Sequence, residues 1–359
     1  MGRFDSPSLT DVLESEPRIL IEASLRPSQG ERFQPTGFPD LGAATFESPD
    51  GRTHLLVESP QSIANRLELV SWDEAAGDLV EPLRGLPYVK VRVVNANGEL
   101  LGETSSVLEA HRLNSPYILN DDNEEFKRRL RELAGIPARQ GGRSKRGGND
   151  EQLASPVGPL DKRRLAMAAL RFDPGSVLHG VFLEKLDGRA RLTRVLSGFI
   201  EAEDVRPALS GGVKNDRIDP SGDAKAGYGN VPFTRVEYVA GSITAYFNLD
   251  LALLRAYGLP DPAMELLVLL GLWKIARFLE EGLRLRTACD LAVRQVDVTR
   301  PEGFSFPTSR ELEPDLRRLI RECQPHFASP PVTTLVTRYV RKKASGDETG
   351  PDTSDEDTD

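Results

Sequence analysis

Glu58-Ser59-Pro60-Gln61-Ser62-Ile63-Ala64-Asn65-Arg66-Leu67-Glu68 reads as the end of a strand followed by the start of a helix. The serine hydroxyl can accept bonds from the free amides of the first turn. Proline suits the first helical position, where an N–H would find no partner anyway. Ile63, Leu67 and Val70 make the buried stripe, while Gln61 and Asn65, four apart, share an exposed face. Before this unit, Thr53 to Val57 reads as a strand. Arg18 to Leu25 reads as another, with Ile19, Ile21, Ala23 and Leu25 alternating with more polar neighbours.

Beyond it, Trp72 to Asp150 has the look of an insertion. Tyr88 to Val94 predicts a strand before an Asn97-Gly98 turn. Asp121 or Asp122 can cap a helix that turns Phe126, Leu130 and Leu133 inward and Lys127, Arg128, Arg129 and Arg131 outward. Arg139 to Asn149 is expected to be a mobile Gly/Arg/Lys loop. A helix over Lys162 to Leu170 and strands over Ser176 to Leu183, Leu192 to Ile200 and Arg235 to Leu249 follow. Asp261-Pro262 opens the most apolar helix, which runs to Glu281 with Lys274, Arg277 and Glu281 as a thin wet stripe. Gly282 ends it, and Leu283 to Val293 reads as one more strand. Stripped of excursions, the order is strand, helix, strand, strand, helix, strand. This predicts an α+β fold with a ferredoxin-like, RNA-recognition-type antiparallel sheet carrying both helices on one face.

The 359 residues carry a net charge of −9, which argues against nucleic acid. The segment from Ala344 to Asp359 holds seven carboxylates and no basic residue, however, and subtracting them leaves −2. A near-neutral body with clustered Lys and Arg can hold a phosphate backbone, because local potential decides. Two cysteines, Cys289 and Cys323, make no disulfide framework and fit a reducing compartment. The longest apolar run, Leu266 to Trp273, is too short for a bilayer, and Met1-Gly2 with Ser6 is a bare lipidation pattern without a second anchor. A cytoplasmic protein is expected.

His54, His111, His179 and His326 are scattered, and no metal-ligand spacing, phosphate loop or nucleophile elbow occurs. His179 lies in an apolar stretch, as a core histidine would. No catalytic residue, metal or cofactor is therefore expected. Asp216 and Asp219 are the exception to weigh: beside a phosphodiester they could hold a metal and cut, but Asn-Asp and Asp-Pro are ordinary turn chemistry.

Binding candidates fall in four places. Ser210-Gly211-Gly212-Val213-Lys214-Asn215-Asp216-Arg217, continuing to Lys225 and Tyr228, reads as a glycine-rich basic loop. Its glycines would admit a phosphate and its tyrosine a base. Arg26, Gln29, Arg32 and Gln34 form a polar loop after the first strand. Gln61, Asn65 and Arg66 surround the helix start at Ser59-Pro60, where free amides favour an anion. His111 and Arg112 lie in a polar turn before Pro116. A solvated loop and a capped surface helix explain the second and third sets equally well on spacing alone, and a cap and turn before Pro116 explains His111 and Arg112 somewhat better.

Taken in order, several of these segments resemble one family. They are Arg26 to Asp40, Glu58 to Glu68, Ser197-Gly198-Phe199-Ile200-Glu201-Ala202, the Ser210 to Arg217 stretch, Gly227-Tyr228-Gly229-Asn230-Val231-Pro232, Ala245 to Leu251 and Gly282 to Leu291. Together they look like the backbone RAMP subunit, of the Cas-seven family, of the type I-G (formerly I-U) CRISPR interference complex. The resemblance spans most of residues 15 to 300. It implies an RNA-recognition-like palm at 15–71 and 161–300, a basic fingers-like insertion at 72–160 and a thumb at 204–232. A C-terminal extension at 301–343 and a disordered acidic tail at 344–359 complete the division.

The resemblance further implies a non-catalytic protein that binds CRISPR RNA through its backbone and stacks head to tail along the spacer. The guide is left to pair with target DNA. Other Cascade subunits (the large subunit and a combined repeat-end-binding subunit) and a helicase-nuclease are the implied further partners. Related type III subunits cut target RNA through a thumb aspartate, which is the alternative.

Overall fold

A computed structural model of the chain describes residues 14–38, 42–136, 159–226 and 228–339. The Met1-Gly2 pattern, the Arg139 to Asn149 loop and the acidic tail lie outside the described residues. In chain order the first elements are β1 (Arg18–Pro27), β2 (Thr45–Glu47), β3 (Thr53–Glu58), α1 (Pro60–Leu69), β4 (Tyr88–Val94), β5 (Leu100–Ser105) and α2 (Glu124–Leu133). Then come α3 (Lys162–Phe172), α4 (Pro174–Leu178), β6 (Leu196–Glu203), β7 (Arg206–Lys214), β8 (Val231–Val239) and β9 (Ser242–Asp250). The chain closes with α5 (Leu251–Ala256), α6 (Asp261–Glu281), β10 (Arg284–Arg286), β11 (Cys289–Arg300), α7 (Ser309–Glu322) and β12 (Val332–Arg338).

The fold is mixed α+β around a seven-stranded sheet in the order β10-β11-β1-β9-β6-β3-β2, antiparallel at each pairing. β1 lies inside the sheet because its alternation is strict: Ile19, Ile21, Ala23 and Leu25 are buried. It is flanked by β9, with Ala23 opposite Ala245, and by β11, with Ala23 opposite Val296. α1 packs against β6, and α6 against β9 and β11, so the apolar face of the sheet is covered by helices. α1 starts as its sequence dictates, with Ser59 Oγ accepting from the Ser62 amide at 3.2 Å and Pro60 following. Cys289 and Cys323 are both buried, and burial pushes each thiol up to about 11.

A smaller three-stranded sheet joins two distant stretches of chain. β12 runs parallel to β4, with Leu335 opposite Val91, and β5 closes the other side. The insertion and the C-terminal extension therefore build one unit, and α7 anchors it by packing on α6.

Four readings of the sequence are corrected. Ser176 to Leu183 is strand only at Val181–Phe182, which pairs with Arg191–Leu192; before that, Asp173 caps the short helix α4, accepting from the Gly175 amide at 3.0 Å, and His179 ends that helix. Arg235 to Leu249 is two strands, broken at Ala240-Gly241, where the chain leaves a projecting ribbon and rejoins the sheet. Leu283 to Val293 is a hairpin turning at Ala288, whose φ of 58° is left-handed. Lys274 is not wet. It is 2% exposed, and its Nζ lies 2.7 Å from Glu68. A lone lysine on an apolar helix can be buried where a carboxylate meets it.

Candidate nucleic-acid interface

The excursion between β6 and β9 is a two-stranded ribbon, β7 paired with β8 from Arg206–Val239 to Lys214–Val231. The stretch read as a glycine-rich loop is therefore strand as far as Lys214. Its glycines have a different cause from the one their sequence suggests. A Cβ on Gly211 would sit 2.5 Å from the Phe233 carbonyl oxygen, and one on Gly212 would meet the Phe233 ring at 3.0 Å. They let the two strands and an aromatic ring close up, rather than admit a phosphate.

Alternation gives the ribbon two unlike faces. Leu209, Val236, Val213 and Pro232 share one with Gly211 and Thr234. The other carries Ser210, Arg235, Glu237, Lys214 and Phe233, and the Arg235 guanidinium stands 5.8 Å from the Phe233 ring centre. The apolar face is open to solvent, with Leu209 86% exposed.

At the tip, Lys214, Asn215, Arg217, Lys225 and Tyr228 are all exposed. Asp216 organises the turn beneath them. One oxygen accepts from the amides of Ile218 (2.8 Å) and Asp219 (3.1 Å), the other from Gly229 (3.1 Å). Those three backbone bonds hold its carboxyl below the usual range. Asp219 accepts from the Ser221 hydroxyl at 3.1 Å. Among the described residues no group of three or more His, Cys, Asp or Glu is placed to hold a metal ion.

The loop after β1 meets the root of this ribbon. Phe33 exchanges both backbone bonds with Tyr238, at 2.9 Å each. Arg32 donates to Ser210 Oγ at 3.3 Å and lies 3.2 Å from Glu237. Arg26 and Gln29 are exposed, while Gln34 is half-buried. A cavity bounded by Ser28, Gln29, Arg32, Glu237 and Asp290 lies beside the loop, and its carboxylates temper the positive charge expected there.

The helix-start set fares less well. Arg66 does not face outward: it binds the buried Glu58 at 3.1 Å and the Leu285 carbonyl. Gln61 donates to Asn65 at 3.3 Å and accepts from Arg194, which also donates to the Pro60 carbonyl at 3.0 Å. Arg194 had no mark in its own neighbourhood of sequence; only folding brings it to α1.

His111 is exposed, but Arg112 is not available to a phosphate. It is 4% exposed, at a φ of 50°, with its Nε 3.9 Å from Glu68. There it joins a buried polar knot of Glu68, Lys274, His179 and Asp173. Burial and the nearby cations Lys274, Arg112 and Arg194 press the His179 imidazole well below its ordinary value. Burial, with Glu68 second, raises Asp173 to about 6.

No helix among the described residues is long and apolar enough to cross a membrane. No curated protein matches the chain. A chain of a solved CRISPR RNA-guided surveillance complex in a pre-nicking state is weakly similar. It has a TM-score of 0.39 and 15% identity, over 86% of this chain and 89% of that one. The family model described as CRISPR-associated protein GSU0053 matches residues 19–207, which run from β1 through α1 and β6 into the ribbon, and the chain belongs to that family.

Proposed function

We propose that this CRISPR-associated protein is a non-catalytic backbone subunit that binds CRISPR RNA along its sugar-phosphate chain. One observation carries the reading. A ribbon between β6 and β9 of the main sheet carries Lys214, Asn215, Arg217, Lys225 and Tyr228, exposed, at its tip. Such a tip offers charge to phosphates and a ring to a base without reading sequence. The strand order β11-β1-β9-β6, with α1 and α6 on one face, supports a ferredoxin-like palm with the ribbon as its thumb. In this reading copies stack head to tail within a type I-G Cascade, beside the large and repeat-end-binding subunits. Target DNA then pairs with the exposed guide, and the helicase-nuclease is recruited afterwards.

Purification of the expressed chain together with a CRISPR array tests this. RNA of one spacer-defined length co-purifying in a multi-copy assembly is expected; a chain that elutes free of nucleic acid at low salt overturns it. The aspartate-dependent nuclease alternative finds less support, because both Asp216 oxygens are engaged by backbone amides. Assembled complex incubated with complementary RNA and magnesium should leave the RNA whole. Cutting that disappears in Asp216→Ala or Asp219→Ala would reverse this assignment.

A further inference from the structure

We infer that Glu58 is a positioning residue for the loop after β1, a candidate RNA contact; the inference rests on the RNA-binding reading above. Glu58 ends β3 with its side chain 1% exposed. Two arginines converge on its Oε1: Arg66 from α1 at 3.1 Å, and Arg286 from β10. Each reaches further. Arg66 also donates to the Leu285 carbonyl, and Arg286 donates to the Gln34 carbonyl at 3.1 Å. One buried carboxylate thereby ties the first helix, the β10–β11 hairpin and the loop to one another.

Backbone bonds, with the Arg32 side chain on Ser210 and Glu237, hold the loop from its other sides. Ser28 donates to Asp290 O and Gln34 to Ala288 O, both at 2.8 Å, and Phe33 pairs with Tyr238 on the ribbon. The Phe33 side chain is 1% exposed and anchors this stretch. The loop is thus the joint between the hairpin and the ribbon, and Glu58 supplies its only tie to α1 through charge among the described contacts. A guanidinium suits this role because its planar fork can serve two acceptors at once, which an ammonium on a flexible stem does less well. A buried carboxylate between two cations is a poor source of net stability but a good source of fixed geometry. Arg66 and Arg286 keep about a quarter of their side chains in water, at 25% and 24%, so they can be resolvated when the carboxylate is removed.

Glu58→Gln and Arg286→Lys in the full chain test the inference. The measurements are amide hydrogen exchange at Phe33 and Gln34, and salt-titrated binding of an unstructured single-stranded RNA. In both variants exchange at these amides is expected to rise roughly tenfold, reflecting local opening. RNA affinity is expected to fall about fivefold with the salt slope kept, because the phosphate contacts remain but the loop must be ordered on binding. Unchanged exchange in a protein that binds RNA overturns the inference alone. Affinity that rises with a steeper slope in Glu58→Gln also overturns it, since Arg66 and Arg286 would then be phosphate contacts that Glu58 masks. Wild-type protein that fails to bind RNA overturns the RNA-binding reading itself, and the loop's role with it.

Discussion

Around Glu68 every charge has been taken out of water, whereas along the ribbon from Arg206 to Val239 most side chains remain in it. Glu68, Lys274, Arg112, Asp173 and His179 sit at 4% exposure or less, drawn from α1, α6, α4 and the turn before Pro116. Their charges cancel against one another and fasten those segments together. The ribbon leaves Lys214, Arg217 and Lys225 unburied and shows Leu209, Val213 and Val236 to solvent as well. A two-stranded ribbon with no layer over it is marginal by itself. Charge in the first region serves the architecture; in the second it is available to something else.

The comparison breaks most visibly at Lys274. Lys274→Met leaves the Glu68 carboxylate buried without its nearest cation, and the expected loss is about 3–5 kcal/mol in urea unfolding. A loss below about 1 kcal/mol would mean that Arg112 alone balances Glu68. At the ribbon the reverse is expected. Lys214→Ala, Arg217→Ala and Lys225→Ala together should leave the thermal midpoint where it was. The same change should lower the salt slope of RNA binding by about 2, at roughly 0.7 per single-strand phosphate contact. An unchanged slope would remove the tip from the interface.

A smaller effect sharpens the buried side through pH. The His179 imidazole is held low, so its contribution to stability is present above about 6.5 and is lost as pH falls below that value. Asp173 works the other way. Its carboxyl is raised to about 6, so its contribution is fully present below 3.8 and is lost as pH rises through 6. Acidification therefore sets one group against the other, with Glu68, Lys274, Arg112, Arg194 and Ser176 as the surrounding groups. Asp173→Asn keeps the cap and removes the offsetting gain. Between pH 6.5 and 4.5 it should lose about 1 kcal/mol more than the wild type, read by urea melts. Smallest of all is Leu209→Ser: with the side chain 86% exposed, stability should move by less than about 0.5 kcal/mol.

Local chemistry was legible wherever a residue's role depended on near neighbours. Ser59-Pro60, the alternation of β1 and the long apolar helix ending at Gly282 were all readable in this way. Asp173-Pro174 carried the same kind of cap signal as Ser59-Pro60, and the apolar run after it, Ser176 to Leu183, concealed the fact. What could not be read was pairing over distance. Lys274 is buried because of Glu68, 206 positions away, and Arg66 is turned inward because of Glu58 and a carbonyl 219 positions away. Of the four binding sets, the ribbon tip stays exposed, and the loop after β1 meets the ribbon root. The helix start is partly consumed by internal bonds, and Arg112 leaves the surface. Gly211 and Gly212 misled for a related reason: their partner, Phe233, lies on β8, whose start before Arg235 the sequence reading left outside any strand.

The unlike faces of the ribbon limit how such an arm can change length. Adding one residue to each strand would turn the next pair of side chains over, sending apolar groups to the basic side and cations to the other. Only additions of two residues per strand keep the faces true, each extending the arm by about 7 Å. The arm is a ruler with one spacing between its marks, and any variant of it that is longer or shorter must change in whole steps.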